Sequence, residues 1–319
     1  MICAYCGKER KGTKEHIISN GILDLFPECF ATIDSERNGV YTRDPVIKDV
    51  CAECNSKHLS YIDSYAKNIV NKYFTIKYKK DDTLPFDYDY VMIQKMCLKF
   101  AYNDLRSRKK DISFFDDEVK DYLLHEENNE PLTNITLLSG LAVNTSLVPD
   151  SFFGNRKLRW GDSPLFLSTS IVNDIDYNTG HVTMLKEMEK EEFEKCVLSF
   201  VFRFNSLQLL LLCWDKDIEN DTLEKNNIIL RHQYPYTILD ITGHSVLSRC
   251  TSEVTYHFEK LIDVAWGQKL FDEISSIRGI FSEERQKYFE EIQKKCDKAE
   301  RLLAEKHPRQ YHKIYKTSL

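Results

Sequence analysis

The spacing of apolar residues divides the chain by texture. Leu59, Ile62, Ala66, Ile69 and Val70 recur every three or four residues, which gives a helix one apolar face. Ile93, Met96, Cys97, Phe100, Ala101 and Leu105 repeat that pattern between Val91 and Leu105, and a shorter helix fits Asp116 to Leu124. Residues 134–231 read mainly as strands. ITLLSGLAV, PLFLSTSIV, HVTML, VLSFVFRF, LQLLLLCW and NIILR are short, rich in β-branched and aromatic residues, and bounded by turn residues. Asn205-Ser206 between two such runs predicts a hairpin, and Glu187 to Glu194 a helical interruption. Helix returns near the C-terminus. Ser282 is a good N-cap there, Glu283 and Glu284 suit the first turn, and an apolar stripe from Tyr288 to Leu303 runs on to about Lys306.

These elements predict an α+β protein in two parts: an N-terminal module, residues 1–74, and a larger helix–sheet–helix domain, residues 75–319. The polar, proline-containing stretch 77–90 reads as a linker, and LHEENNEPLTN (124–134) as a loop. Composition adds limits. With 42% hydrophobic and 29% charged residues, the bulk of the chain can fill a core. The richest apolar run, Leu209 to Trp214, is far short of the roughly 20 residues of a membrane helix. MICAYCGKER has neither a positive n-region nor an apolar h-region, so no signal peptide is expected. Lys and Arg number 44 against 50 Asp and Glu, a net charge of −6. Nucleic acid would therefore have to meet a local basic patch, or be delivered by a partner. Lys77–Lys80 and Arg106–Lys110 are candidate phosphate contacts, equally readable as solvated faces.

Cysteine carries the chemistry. Of ten, four form two C-x-x-C pairs, Cys3/Cys6 and Cys51/Cys54. Two tight turns, each presenting two thiolates, suit a tetrahedral zinc ion. Gly7 follows the first pair where a positive φ is needed. Cys97, Cys196 and Cys213 sit in apolar segments, as small buried hydrophobes do. The pattern predicts a reducing, cytoplasmic setting. A knuckle, a hairpin and a helix carrying the second pair in its first turn form a treble-clef arrangement. Between the pairs lies TKEHIISNGIL, in which a strand can end with Glu15 and His16 aimed at the helix.

Taken in order, C-x-Y-C-G, K-E-H-I-I, V-C-x-E-C-N and S-x-I-D resemble the HNH (ββα-metal) endonucleases, in the branch stabilised by four zinc-binding cysteines. The resemblance covers about residues 1–72. It implies metal-dependent hydrolysis of phosphodiester bonds, most readily in DNA, with His16 as general base and Glu15 as a ligand to catalytic Mg2+ or Mn2+. Asn55 would orient the segment carrying the base, although it is also a good helix N-cap. The chemistry is consistent with this assignment. Histidine, with an ordinary pKa near 6.5, can activate water, and a carboxylate is a hard ligand for a hard cation.

Two positions depart from the family pattern. Ser19 stands where a proline is common, and Ser60, a poor ligand, where many members place the second metal ligand. Asp63, one turn further along the same face, is the preferred substitute, with His58 as the alternative. His16 could instead be a structural histidine, and Glu15 alone would usually be surface charge. The family often serves mobile elements, restriction and anti-phage defence. The resemblance thus implies a defence effector whose second part docks a sensor or ATPase partner or self-associates, by way of the helix at 283–306. The rival expectation is a non-catalytic zinc module acting in regulation; an RNase differs by substrate alone.

Overall fold

The computed structural model describes residues 1–27, 29, 32–34, 39–41, 45–76, 78, 82–141, 158–162, 173–176, 181–184, 193–233 and 237–248, and scattered positions between 294 and 308. It is an α+β protein. Strand β1 (Gly12–His16) pairs antiparallel with β4 (Val46–Cys51), and helix α1 (Asn20–Leu23), the short strands β2 (Thr32–Asp34) and β3 (Gly39–Tyr41) lie between them. A π-helical turn, Cys54–His58, leads into α2 (Ser60–Tyr73). The apolar face expected there is buried: Leu59, Ile62, Ala66, Ile69 and Val70 all lie in the core.

The polar stretch expected to be a linker contains a strand, β5 (Thr83–Asp87), paired with β13 (His244–Ser248). Pro85 suggested a break, yet a two-stranded ribbon leaves one edge of each strand without ladder partners, where a missing N–H is tolerated. Asp89 then caps α3 (Tyr90–Ser107), its carboxylate accepting from the Met92 N–H at 3.0 Å. Helix α4 (Asp117–Leu124) is capped in the same way by Asp116.

Beyond these helices lies a five-stranded antiparallel sheet, order β12-β6-β11-β10-β7, built from β6 (Ile135–Leu141), β7 (Leu158–Asp162), β10 (Cys196–Phe204), β11 (Leu207–Trp214) and β12 (Thr237–Ile238). A separate hairpin joins β8 (Asn173–Asp176) to β9 (His181–Met184). The period of two divides the central strands between two cores. Phe200, Phe202, Phe204, Leu209, Leu211 and Cys213 face α3, where Phe100 meets the rings of Phe202 and Phe204. Val201, Leu210, Leu212 and Trp214 face the opposite way, toward helix α5 (Asn220–Gln233). Each such burial contributes roughly 1.5–3 kcal/mol. The expected hairpin is present: Asn205 takes φ 53°, and Phe204 pairs with Leu207 across the turn.

NIILR, read as a strand, is the end of α5. A strand would place Ile228 and Leu230 on one face. Ile228 is instead exposed and Leu230 buried, the phase of a helix whose turn before Leu230 buries Asn226. PLFLSTSIV, residues 187–192 and most of the C-terminal stripe lie outside the described residues, as does Lys77–Lys80 apart from Tyr78. The described positions between 294 and 308 are helical. No helix among the described residues is long and apolar enough to cross a membrane.

Candidate metal centre and the buried ion cluster beside it

The two C-x-x-C turns meet. The sulfurs of Cys3, Cys6, Cys51 and Cys54 all lie within 4.8 Å of one another, and Cys6 Sγ is 3.9 Å from Cys51 Sγ. Four thiolates around one zinc ion at 2.3 Å stand about 3.8 Å apart, so the cluster has the right size and donor chemistry for a metal ion such as zinc. Backbone geometry makes it. Gly7, at φ 67°, lets its N–H return to the Cys3 carbonyl at 2.9 Å, and the Cys3 N–H reaches the Lys8 carbonyl at 3.0 Å. At the other pair, the Leu59 N–H closes a wide turn on the Cys54 carbonyl. Burial alone would raise the Cys3 thiol, but N–H groups of Cys6, Cys51 and Tyr5 draw it down to about 7, whereas burial holds the Cys6 and Cys54 thiols up. Cys3 thus readily gives the thiolate a metal needs, and a bound cation would draw the other thiols to the same state.

Strand β1 carries the Glu15-His16 pair out from this cluster. Its register against β4 slips between Thr13 and Glu15, so Lys14 faces a bulge. Asn55, directly after the last cysteine, braces that point. Its amide donates to Thr13 Oγ1 and to the Lys14 carbonyl, each at 3.0 Å. Asn55 therefore positions the strand bearing the expected base and does not cap a helix with its side chain.

Glu15 is buried, and what meets it comes from α3. Lys99, itself fully buried, places its ammonium 2.7 Å from Glu15 Oε1 and 2.6 Å from Asp63 Oδ1 of α2. One turn on, Asn103 has every amide group engaged. Its NH2 donates to the His16 carbonyl at 3.0 Å and more weakly to Glu15 Oε1 at 3.4 Å. Its Oδ1 accepts from Tyr5 Oη at 2.7 Å and Arg106 at 2.6 Å. Burial pushes the Glu15 carboxyl above its ordinary range, and the Lys99 ammonium opposes that shift. Arg106 also pairs with Asp49 of β4 at 2.8 Å and lies over the rings of Tyr5 and Tyr102.

Of the residues singled out in sequence, the four cysteines converge, and Glu15 and Asp63 converge on Lys99. His16 follows Glu15 at the end of β1, half-buried. His58 packs edge-on against His125, ring centroids 6.4 Å apart, and Ser60 turns its hydroxyl back to the Lys57 carbonyl. Ser19, in the place of the family's proline, caps α1 by accepting from the Gly21 N–H. In the RSRKK cluster, Arg106 and Arg108 are spent on internal partners, Asp49 and Asp104. No family model matches the chain, and neither a curated protein nor a solved structure matches it.

Lys99 and Asn103 were not among the candidates from sequence, and Arg106 was one only as a phosphate contact. Their signal is present in α3, where Lys95, Lys99, Tyr102, Asn103 and Arg106 recur at helical spacing opposite the apolar face. Such a stripe reads as solvent-facing; here it is packed against the cysteine module.

As placed, the Glu15–Asp63 pair does not fit a divalent metal ion. The donors are of the right kind, but the two oxygens that converge, Glu15 Oε1 and Asp63 Oδ1, already bind the Lys99 ammonium, and two cations cannot share that point.

Proposed function

We propose that the chain is an endonuclease of the HNH (ββα-metal, treble-clef) type that hydrolyses phosphodiester bonds in DNA, with zinc in the four-cysteine cluster. One arrangement carries the reading: the segment bearing Glu15 and His16 is pinned between a four-cysteine centre and a helix, with Asn55 bracing the strand one residue before Glu15. In this reading His16 takes the proton from an attacking water, because a neutral imidazole nitrogen can accept one. Asn55 and Asn103 set the direction of the backbone that carries it. The Mg2+ or Mn2+ expected of such an enzyme would supply charge stabilisation at the scissile phosphate. No step is assigned to that ion here, since Lys99 stands between the carboxylates that would hold it. A cytoplasmic defence role, with residues 75–319 docking a sensor or ATPase partner or a second copy, accords with the resemblance.

A second reading has its own observation. Lys99 offsets one of the two negative charges of the acidic pair from within, as expected of a zinc module that keeps the nuclease frame for regulation without catalysis. Plasmid nicking with Mg2+ or Mn2+ separates the two, with a single-stranded RNA run in parallel to test the RNase alternative. Cutting is expected where the Glu15–Asp63 pair is opened to the metal, and there His16→Ala should lose about 10²–10⁴-fold in rate against wild type, the usual worth of a general base, with its zinc content intact. Equal rates in the two proteins would end the nuclease assignment.

A further inference from the structure

A buried ammonium shared by two carboxylates is an unusual tenant for a place where hydrolysis would call for a metal ion. The Lys99 side chain is 0% exposed, Glu15 3% and Asp63 29%. Substrate phosphate cannot reach a lysine so enclosed, so Lys99 does not stabilise a transition state by contact. Its charge is already committed inside the protein. Asn103 orients the Glu15 carboxylate from the same helix, and the Tyr102 hydroxyl donates to the Ala4 carbonyl at 2.9 Å. With the Arg106–Asp49 pair, these contacts hold α3 against the cysteine module. Lys99 is therefore a fixed part of the site.

We propose that Lys99 is the resident cation of the Glu15–Asp63 pair, and that its ammonium and a divalent metal ion are mutually exclusive occupants of that pair. In the conformation described here the pair is closed to Mg2+ and Mn2+. Whatever opens it must draw α3 away from β1 and α2, because Lys99 has no exposed surface into which to turn. Two carboxylates facing one another without the ammonium would carry two like charges at close range, a strong demand for another cation. Residues 75–319 would thus control the metal status of the N-terminal module through one side chain. The inference starts from the carboxylate pair of the proposed nuclease, but its test reads metal binding alone, so either can fail without the other.

The experiment is a Mn2+ titration of the zinc-loaded full chain, followed by the electron paramagnetic resonance signal of free Mn2+. Wild type, Lys99→Arg, Lys99→Met, Lys99→Met/Glu15→Gln and Asp63→Asn are compared. Wild type and Lys99→Arg are expected to show no binding that depends on Asp63. Lys99→Met should bind Mn2+ at least about tenfold more tightly, within the range usual for coupled sites, and Lys99→Met/Glu15→Gln should lose that gain. Wild-type binding that Asp63→Asn removes would overturn exclusion, and this comparison stands even where Lys99→Met does not fold. A folded Lys99→Met that binds Mn2+ no better than wild type would overturn it equally.

Discussion

Replacing Lys99 with Met keeps most of the buried stem and removes the charge, and the consequence for stability can be worked from the surroundings. Glu15 would be left enclosed, with the weak 3.4 Å contact from Asn103 as its remaining hydrogen bond among the described residues. Asp63 is part-exposed and can turn to water. Removing one partner of a buried pair costs about 3–5 kcal/mol, mostly the penalty of the stranded charge. Glu15→Gln is milder, since Lys99 keeps Asp63; a lost charge-assisted hydrogen bond is worth about 1.5–3 kcal/mol. Combining the two removes the stranded charge altogether. The double variant should then be more stable than the sum of the single effects implies, by about 2 kcal/mol, inside the range measured for contacting residues. Denaturant unfolding of the zinc-loaded chain gives the four values. Tryptophan fluorescence suits the assay, because Trp160 Nε1 donates to Asp104 on α3 at 3.1 Å and reports on that helix. Simple additivity of the two substitutions would refute the pairing of Lys99 with Glu15.

Two further outcomes follow from other parts of the fold. Cys51→Ser should abolish stoichiometric zinc in purified protein by metal analysis and sharply lower stability, because Cys51 also ends β4 and its N–H meets Cys3 Sγ at 3.4 Å; unchanged zinc content would contradict the centre. Asn205→Ala should lower stability by about 2–3 kcal/mol, part from the left-handed turn and part from the lost 2.7 Å bond to the Phe74 carbonyl. Asn205→Gly should recover the backbone part in thermal unfolding, and a silent Asn205→Ala would count against both contributions.

What could be read from the sequence was whatever depends on local periodicity or on fixed spacing. The helices at 60–73 and 90–107 follow from apolar stripes, and the hairpin at Asn205 from a turn residue between two strand-like runs. The cysteine cluster follows from two short spacings that tertiary structure had only to bring together. NIILR was misread because five residues cannot distinguish a period of two from one of 3.6, and Ile228 happens to be an exposed isoleucine. The strand at 83–87 was missed because its partner lies far along the chain, at 244–248, and no local signal announces it. Lys99 was missed for a different reason. A lysine opposite an apolar stripe is ordinarily solvated, and only the arrival of two carboxylates from another part of the chain makes its burial tolerable.

That burial bears on how the two parts of the chain work together. Helix α3 gives its apolar face to the sheet and its polar face to the cysteine module, so one helix is the floor of both. The two faces constrain differently. Apolar packing against Phe202 and Phe204 tolerates small shifts, because dispersion is weakly directional. The Asn103 amide, with four partners, and the Lys99 ammonium, with two, tolerate little, because a polar group pulled off its buried partner keeps its full desolvation penalty. In the proposed nuclease the contact between the halves would open as a unit, with all of these bonds made together or all of them exchanged for solvent. An element of that kind could be biased by a partner that grips the far side of the sheet. In the proposed nuclease it would couple a distant binding event to the backbone that carries His16, without that event touching the site.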